Sequence, residues 1–392
     1  MVASGASLGR LPFKFIHSSL IYSGSSLKTI STGKMTTSHQ QMQGIRIKNS
    51  PDPATPYSAA NPAPASALYL DAKLDLPELT KPGELLVRMH AATVTRDELT
   101  WPETYKSVQI TPGYDFAGTV TLTFASDEVV DPTKRTFNPG AEVYGMKSTE
   151  GIGCTWAEYA IVRADEAAAR PSSLGWAESA TVPMSALTAW QALFVKAGLA
   201  EPELSTEART EVSRKTNPAL KVLITGASGA VGIYLVQFGS LAGLHIVAAS
   251  TSKARNEEFL NSLGANEVVE YNDLEDKLAE YDVVIDTVGG ATLEGCWKLV
   301  KDKGSLITID SLSFDFVERH RKLPFSRGKQ YVEALFFIVE ASGQQLEKIT
   351  RAIDLKLLQT FVAQTFPISH AREAYEAGGQ RVPRRGKIVL TM

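Results

Sequence analysis

The apolar positions of this chain follow two rhythms. Between Gly44 and Val162 they alternate with polar residues in short runs bounded by Gly, Pro and Asn, the pattern of half-buried strands. Strands are predicted at Gly44–Lys48, Glu84–Val94, Tyr114–Phe124, Asn138–Gly145 and Ala157–Val162. Between Lys221 and Asp310 the pattern changes to continuous apolar runs separated by helical spacing. Lys221–Thr225, His245–Ser250, Glu267–Val269, Val283–Thr287 and Ser305–Ile309 read as strands, and Asn256–Leu263 as one of the helices between them. Strands that are apolar on both faces and alternate with helices form parallel sheets. Ser179–Gly198 and Gln345–Ile353 are helical in pattern, and Gly386–Leu390 is a last strand. Ser50–Ala67, rich in Pro and Ala, and Glu201–Pro218, polar and charged, read as loops. The sequence shows no internal repeat. The expected fold class is α/β: a β-rich domain plus a doubly wound domain with a parallel sheet.

The second region is organised around Lys221–Gly232, KVLITGASGAVG. A strand runs into a glycine turn and then into an apolar helix through Phe238. Such a turn cradles phosphate, because the helix N-terminus presents free N–H groups and the positive end of its dipole. Ala227 takes the first position of a G-x-G-x-x-G frame. Gly229 lets the backbone approach a pyrophosphate, Gly232 lets the helix pack close to the strand, and Ser228, Ala230 and Val231 complete the turn. The strand–turn–helix context favours dinucleotide binding over an ordinary tight turn.

The next strand selects the dinucleotide. An NAD site places Asp or Glu about 20 residues beyond the glycine turn, on the ribose 2′-hydroxyl. Ser250, Thr251, Ser252, Lys253 and Arg255 stand there instead. Cations neutralise a 2′-phosphate and hydroxyls donate to its oxygens, so NADPH is the expected cofactor.

With 392 residues there is room for two domains and large cores. A hydrophobic share of 44% and a net charge of −3 describe an ordinary soluble chain with no bias toward nucleic acid, and no apolar run reaches membrane-spanning length. The two cysteines, Cys154 and Cys296, lie in no zinc-type spacing and read as free thiols of a reducing compartment. His90, His245, His320 and His370 form no hydrolase pattern with Ser or Cys. The N-terminus is unusual. No Asp or Glu precedes Asp52, whereas Arg10, Lys14, Lys28, Lys34, Arg46 and Lys48 stand among serines, and Leu8, Leu11, Phe15 and Leu20 share one helical face. That is the composition of a mitochondrial transit peptide. A disordered tail, or translation from Met35 or Met42, are the alternatives. Residues 1–42 are therefore set apart from the fold, and the expected location is cytoplasmic or mitochondrial.

The order of motifs resembles the medium-chain dehydrogenase/reductase superfamily, in its zinc-free quinone-oxidoreductase-like and enoyl-reductase-like branch. The resemblance runs from about Gly44 to Met392. It is carried by LLVRMHAATVTRDELTW (Leu85–Trp101), PGYDFAGTV (Pro112–Val120), GAEVYGM (Gly140–Met146), WAEYAIV (Trp156–Val162) and MSALTAWQALF (Met184–Phe194). LITGASGAVG (Leu223–Gly232), LGANEVVEY (Leu263–Tyr271), DVVIDTVGG (Asp282–Gly290) and RGKIVL (Arg385–Leu390) complete it. It implies a GroES-like catalytic domain at 43–185, completed by 344–392, with a Rossmann domain at 186–343 and the cofactor in the cleft between them. It further implies cofactor contacts from Thr188, from Tyr271 on the 2′-phosphate, from Val288 and Gly289, and from the Phe336–Val339 segment around Phe337.

Zinc members of the superfamily hold a metal with Cys and His. Here Thr95 stands at the usual cysteine position, and Gly113-Tyr114-Asp115 replaces the G-H-E motif, so no metal is expected. Without a Lewis acid the chemistry expected is hydride transfer to an already polarised C=C or to a quinone, followed by protonation. Thr95, which replaces an asparagine of the quinone reductases, is a candidate to bond the nicotinamide or the substrate oxygen, or else to cap a turn. Tyr105 and Tyr114 are the candidate proton donors, with solvent as the alternative. The expected partner is a small electrophilic substrate, with neither nucleic acid nor membrane, and the family habit implies a homodimer paired through Rossmann-sheet edges. A trans-acting enoyl reductase of a natural-product pathway and a non-catalytic NADPH-binding interaction protein are the other readings.

Overall fold

The computed structural model describes residues 41–106, 110–124, 136–148, 154–205, 220–380 and 384–392. The transit-peptide reading of the N-terminus and most of the Glu201–Pro218 loop lie outside them.

The chain opens with β1 (Gln41–Ile47) and β2 (Leu68–Asp75), which pair antiparallel. β3 (Glu84–Val94), β4 (Asp115–Thr123), β5 (Glu142–Met146), β6 (Tyr159–Arg163) and β7 (Ala167–Ala169) follow. Two helices, α1 (Trp176–Ala180) and α2 (Pro183–Trp190), lead out of this region, and α2 continues as a π-helical turn over Gln191–Lys196. The next stretch is β8 (Lys221–Ile224), α3 (Gly232–Leu241), β9 (His245–Ser250), α4 (Lys253–Ser262), β10 (Glu267–Glu270), β11 (Tyr281–Asp286), α5 (Gly290–Leu299), β12 (Val300–Thr308), α6 (Phe316–His320) and β13 (Glu333–Phe336). The chain closes with α7 (Gly343–Asp354), β14 (Val362–Pro367), α8 (Ala371–Gly378) and β15 (Lys387–Thr391).

β8–β13 form one six-stranded sheet, ordered β10-β9-β8-β11-β12-β13, and each neighbouring pair is parallel. In local numbering this is 3-2-1-4-5-6, the doubly wound dinucleotide-binding order. The sequence dictates burial on both faces: Val222, Leu223 and Ile224 of β8, Ile246–Ala249 of β9 and Val283–Ile285 of β11 are all buried. The second sheet is ordered β14-β15-β3-β4-β5-β7, with β6 also on β3. Its strands pair antiparallel except β14 with β15. Ile388–Thr391 of the C-terminal strand pair with Ala91–Val94 of β3, so the C-terminal segment joins the sheet built by β3–β7.

α7 has the amphipathic spacing that the sequence predicts. Leu346, Ile349, Ala352 and Ile353 are buried, and Ser342 accepts a hydrogen bond from the Gln345 N–H at 3.2 Å as the N-cap. The helical pattern over Ser179–Gly198 resolves into α2 and its π turn. β2, β7, β13, β14 and α8 are not among the elements that the sequence pattern predicts. Each is short or, like LYLDAKLD of β2, too polar to stand out without its pairing partner.

Candidate functional site

The glycine turn lies at the carboxyl end of β8, beside the carboxyl end of β11, where the strand order of the parallel sheet reverses. This is the ligand crevice of doubly wound folds. Asp286, fully buried, ties three strand ends together there. Its Oδ1 accepts the Thr225 hydroxyl at 2.6 Å, and its Oδ2 accepts the Thr308 hydroxyl at 2.8 Å and the Gly289 N–H at 2.9 Å. The Thr287 N–H and hydroxyl both bond Thr225, at 3.0 and 2.9 Å. The crevice is thus built on a rigid polar knot in which Gly289 is a structural donor and Val288 is exposed.

Ser228, Gly229, Ala230 and Val231 line the outside of the turn, and Ala227 is buried beneath it, its N–H bonded to the Ala249 carbonyl at 3.2 Å. Tyr271, at the end of β10, accepts the Gly226 N–H at 2.9 Å, and burial raises its phenol pKa. Its hydroxyl proton remains available at the turn. Ser250 is buried, and its oxygen accepts the Asn256 amide at 2.5 Å, so it braces the start of α4. Ser252 is the N-cap residue of α4 and its side chain bonds no helix N–H, while Lys253 and Arg255 are exposed beside it.

Two residues at this corner escape sequence reasoning. Arg385, from the C-terminal segment, donates to Asn256 Oδ1 and to the Arg255 carbonyl, each at 2.8 Å, and adds a third cation at the start of α4. Glu270 accepts the Lys253 N–H at 2.7 Å and so sets a carboxylate at the α4 N-terminus, where it opposes the cations. Lys253 also pairs with Glu257 at 3.4 Å. Neither long-range contact leaves a local signal in the sequence.

The catalytic candidates divide. Thr95 follows β3 and donates to the Met184 sulfur at 3.7 Å, and the Met184 N–H donates to Asp115 at 2.7 Å, so Thr95 and the Tyr114-Asp115 turn meet through α2. Tyr105 is a correction: its hydroxyl donates to the Leu99 carbonyl at 2.5 Å and accepts the Ala63 N–H at 2.8 Å. Its proton is committed to pinning two loops rather than available to a substrate. Tyr114 is buried, packs against Trp101 with ring centroids 5.5 Å apart, and is held neutral chiefly by burial and then by Glu98. Thr188 is buried and returns its hydroxyl to the Met184 carbonyl at 2.7 Å. Phe337 is buried. It packs in the core under Lys196, and its neighbour Ile338 is the exposed apolar residue of that segment.

The residues where zinc enzymes hold metal do not fit zinc. Thr95 and Tyr114 offer a hydroxyl and a phenol in place of thiolate and imidazole, and Asp115 is bound to Lys387, Thr93 and Met184. Among the described residues no three His, Cys, Asp or Glu side chains are grouped to hold a metal.

A parallel sheet of dinucleotide-binding order, a glycine turn at its switch point and a second, mostly antiparallel sheet completed by the C-terminal strands define the fold class of nicotinamide nucleotide oxidoreductases. A family model described as zinc-binding dehydrogenase matches residues 263–390. A probable zinc-binding mitochondrial oxidoreductase of Arthroderma benhamiae is 34% identical over 349 residues, covering 86% of this chain and 97% of the relative. A mitochondrial NAD(P)H oxidoreductase of Mus musculus is 27% identical, covering 81% of this chain and 84% of the relative. The quinone oxidoreductase of Coxiella burnetii superposes with a TM-score of 0.69 at 21% identity, over 90% of this chain and 100% of the other. The chain belongs to the medium-chain dehydrogenase/reductase superfamily, in its quinone-oxidoreductase-like group.

Proposed function

We propose that this chain is a zinc-independent reductase that takes hydride from NADPH and delivers it to an activated C=C or a quinone. The observation that carries the reading is the glycine turn at the switch point, flanked by a β9 end that bears Ser250 instead of a carboxylate and by Lys253, Arg255 and Arg385. NADPH, when bound, supplies the hydride and both electrons. The N–H groups of Ser228, Ala230, Val231 and Gly232, in the turn and at the first position of α3, suit its pyrophosphate. Ser252, Lys253, Arg255 and the Tyr271 hydroxyl suit a 2′-phosphate. Thr95 and Tyr114 are the side chains we assign to orienting a substrate oxygen. With no Lewis acid the substrate has to arrive polarised, which favours enones, enoyl compounds and quinones over alcohols. The acid-poor N-terminus and the mitochondrial names of the relatives support a mitochondrial location, which uptake of the full chain by isolated mitochondria tests.

Fluorescence titration of the full chain with NADPH and NADH tests the cofactor reading. NADPH is expected to bind at least about tenfold more tightly, a difference of about 1.4 kcal/mol. Equal affinities would overturn the assignment. Glu270→Gln removes the carboxylate that opposes the cations and is expected to widen the preference a few-fold, by tightening NADPH alone.

A homodimer is the proposed assembly. Among the described residues β13 is an edge strand of the parallel sheet. Tyr331 and Ile338 flank it with exposed apolar side chains. An edge strand of this kind invites pairing with a second copy. Light scattering should return twice the chain mass, and a monomeric mass at micromolar concentration would remove the proposal.

A further inference from the structure

Six buried side-chain polar atoms among the described residues have no hydrogen-bond partner, and three of them surround one turn, Gly113–Tyr114. They are Glu98 Oε2, Trp101 Nε1 and Thr155 Oγ1. Gly113 has φ +102, and a Cβ there would lie 2.3 Å from Thr155 Oγ1, so the turn is packed directly against this hydroxyl. Glu98 is buried. Its Oε1 accepts the Gly113 N–H and its Oε2 has no partner, and the residue lines a cavity of about 10 Å³ together with Tyr114, Glu103, Thr104 and Thr111. That is about the room of one water. A buried carboxyl with one bonded and one unbonded oxygen is unfavourable as an anion and acceptable as a neutral acid. Burial pushes the Glu98 pKa up to about 8, against the pull of Lys387 and with the push of Asp115. Tyr114 and Tyr375 are the phenols within electrostatic reach of it.

We infer that Glu98 is a proton store for the reductase site, linked to the substrate through one water in this cavity and the hydroxyl of Tyr114. The inference rests on the reductase reading above. After hydride has reached the β-carbon of an enone, the α-carbon carries the enolate charge. The Tyr114 hydroxyl gives its proton to that carbon, the water reprotonates the phenolate, and Glu98 reprotonates the water and is left as a carboxylate. Solvent returns one proton to Glu98 after product leaves. The C=C has then gained one hydride and one proton. Glu98 touches no substrate and acts as a positioning residue for the proton.

The test compares wild type, Glu98→Gln and Tyr114→Phe in NADPH-dependent reduction of an α,β-unsaturated ketone between pH 6 and 10. The infrared carbonyl stretch of a neutral carboxylic acid is read on the same proteins. Gln keeps an oxygen for the Gly113 N–H, so the turn remains intact. The wild-type rate should fall above pH about 8 as Glu98 ionises, with loss of the infrared band. Glu98→Gln should lack both the band and the pH-dependent fall, with kcat lower by about 100-fold, within the range of general acid catalysis. Tyr114→Phe should keep the band and lose a similar factor in kcat. Overturning results are absence of the band in wild type, or a Glu98→Gln enzyme whose rate and pH profile match wild type. Wild type that binds NADPH but reduces no enone or quinone defeats the reductase reading, and this role with it, whatever the band shows.

Discussion

Lys387→Met is expected to destabilise the folded chain by about 3–5 kcal/mol, the cost of leaving a buried charge without its partner. The Lys387 ammonium meets the Asp115 carboxylate inside the β-rich domain, where the two side chains are 7% and 0% exposed. Asp115 also accepts the Thr93 hydroxyl and the Met184 N–H, each at 2.7 Å. One carboxylate thereby joins β3, β4, β15 and the start of α2. In the variant those two neutral donors remain but no cation balances the charge, and burial leaves little water to replace it. The double variant Lys387→Met/Asp115→Asn removes both charges, keeps an acceptor for Met184, and should recover much of the loss. Urea denaturation with fluorescence detection measures both. A single variant within about 1 kcal/mol of wild type would show that the pair holds little of the fold together.

Gly232→Val is the second large effect. NADPH affinity is expected to fall by 100-fold or more, about 2.7 kcal/mol. Stability should fall by about 1–3 kcal/mol, as overpacking usually costs. A Cβ at Gly232 would lie 2.4 Å from the Gly226 carbonyl oxygen and 2.6 Å from that of Ala227. Both obstacles are backbone atoms of the turn, so no side-chain rotation relieves them. The turn has to open, which moves its N–H groups away from the pyrophosphate they are proposed to hold. Gly229→Ala is the control, since its Cβ would approach only the Gly226 oxygen, at 3.1 Å. It should leave stability nearly unchanged. Titration and thermal melting separate the two quantities. A Gly232→Val protein that binds NADPH as wild type would show that the turn is not the phosphate cradle.

These two sites differ in how far the sequence reveals them. Ala227–Gly232 is contiguous, and its glycines mark a tight turn by their spacing alone. The same holds for Lys253 and Arg255, which follow the second strand at the expected distance. Tyr105 shows the opposite. A tyrosine near the cleft looks suitable in sequence, yet hydrogen bonding to Leu99 and Ala63 commits its hydroxyl. Asp286, Arg385, Glu270 and Glu98 draw their roles from contacts made in the fold, and those of Arg385 span about a third of the chain.

The sequence by itself determined the classes of element, the parallel character of the central sheet, the glycine turn and the group of proteins to which the chain belongs. These rest on local periodicity and on residues that act together within one turn. Only the tertiary structure decided which strands neighbour one another and which hydroxyls are spent on the fold. It also decided that Glu270 faces the cations, and that Glu98 is buried with one oxygen unbonded. Burial and partnership arise when separate segments meet, and periodicity along the chain does not show which side chains are brought together.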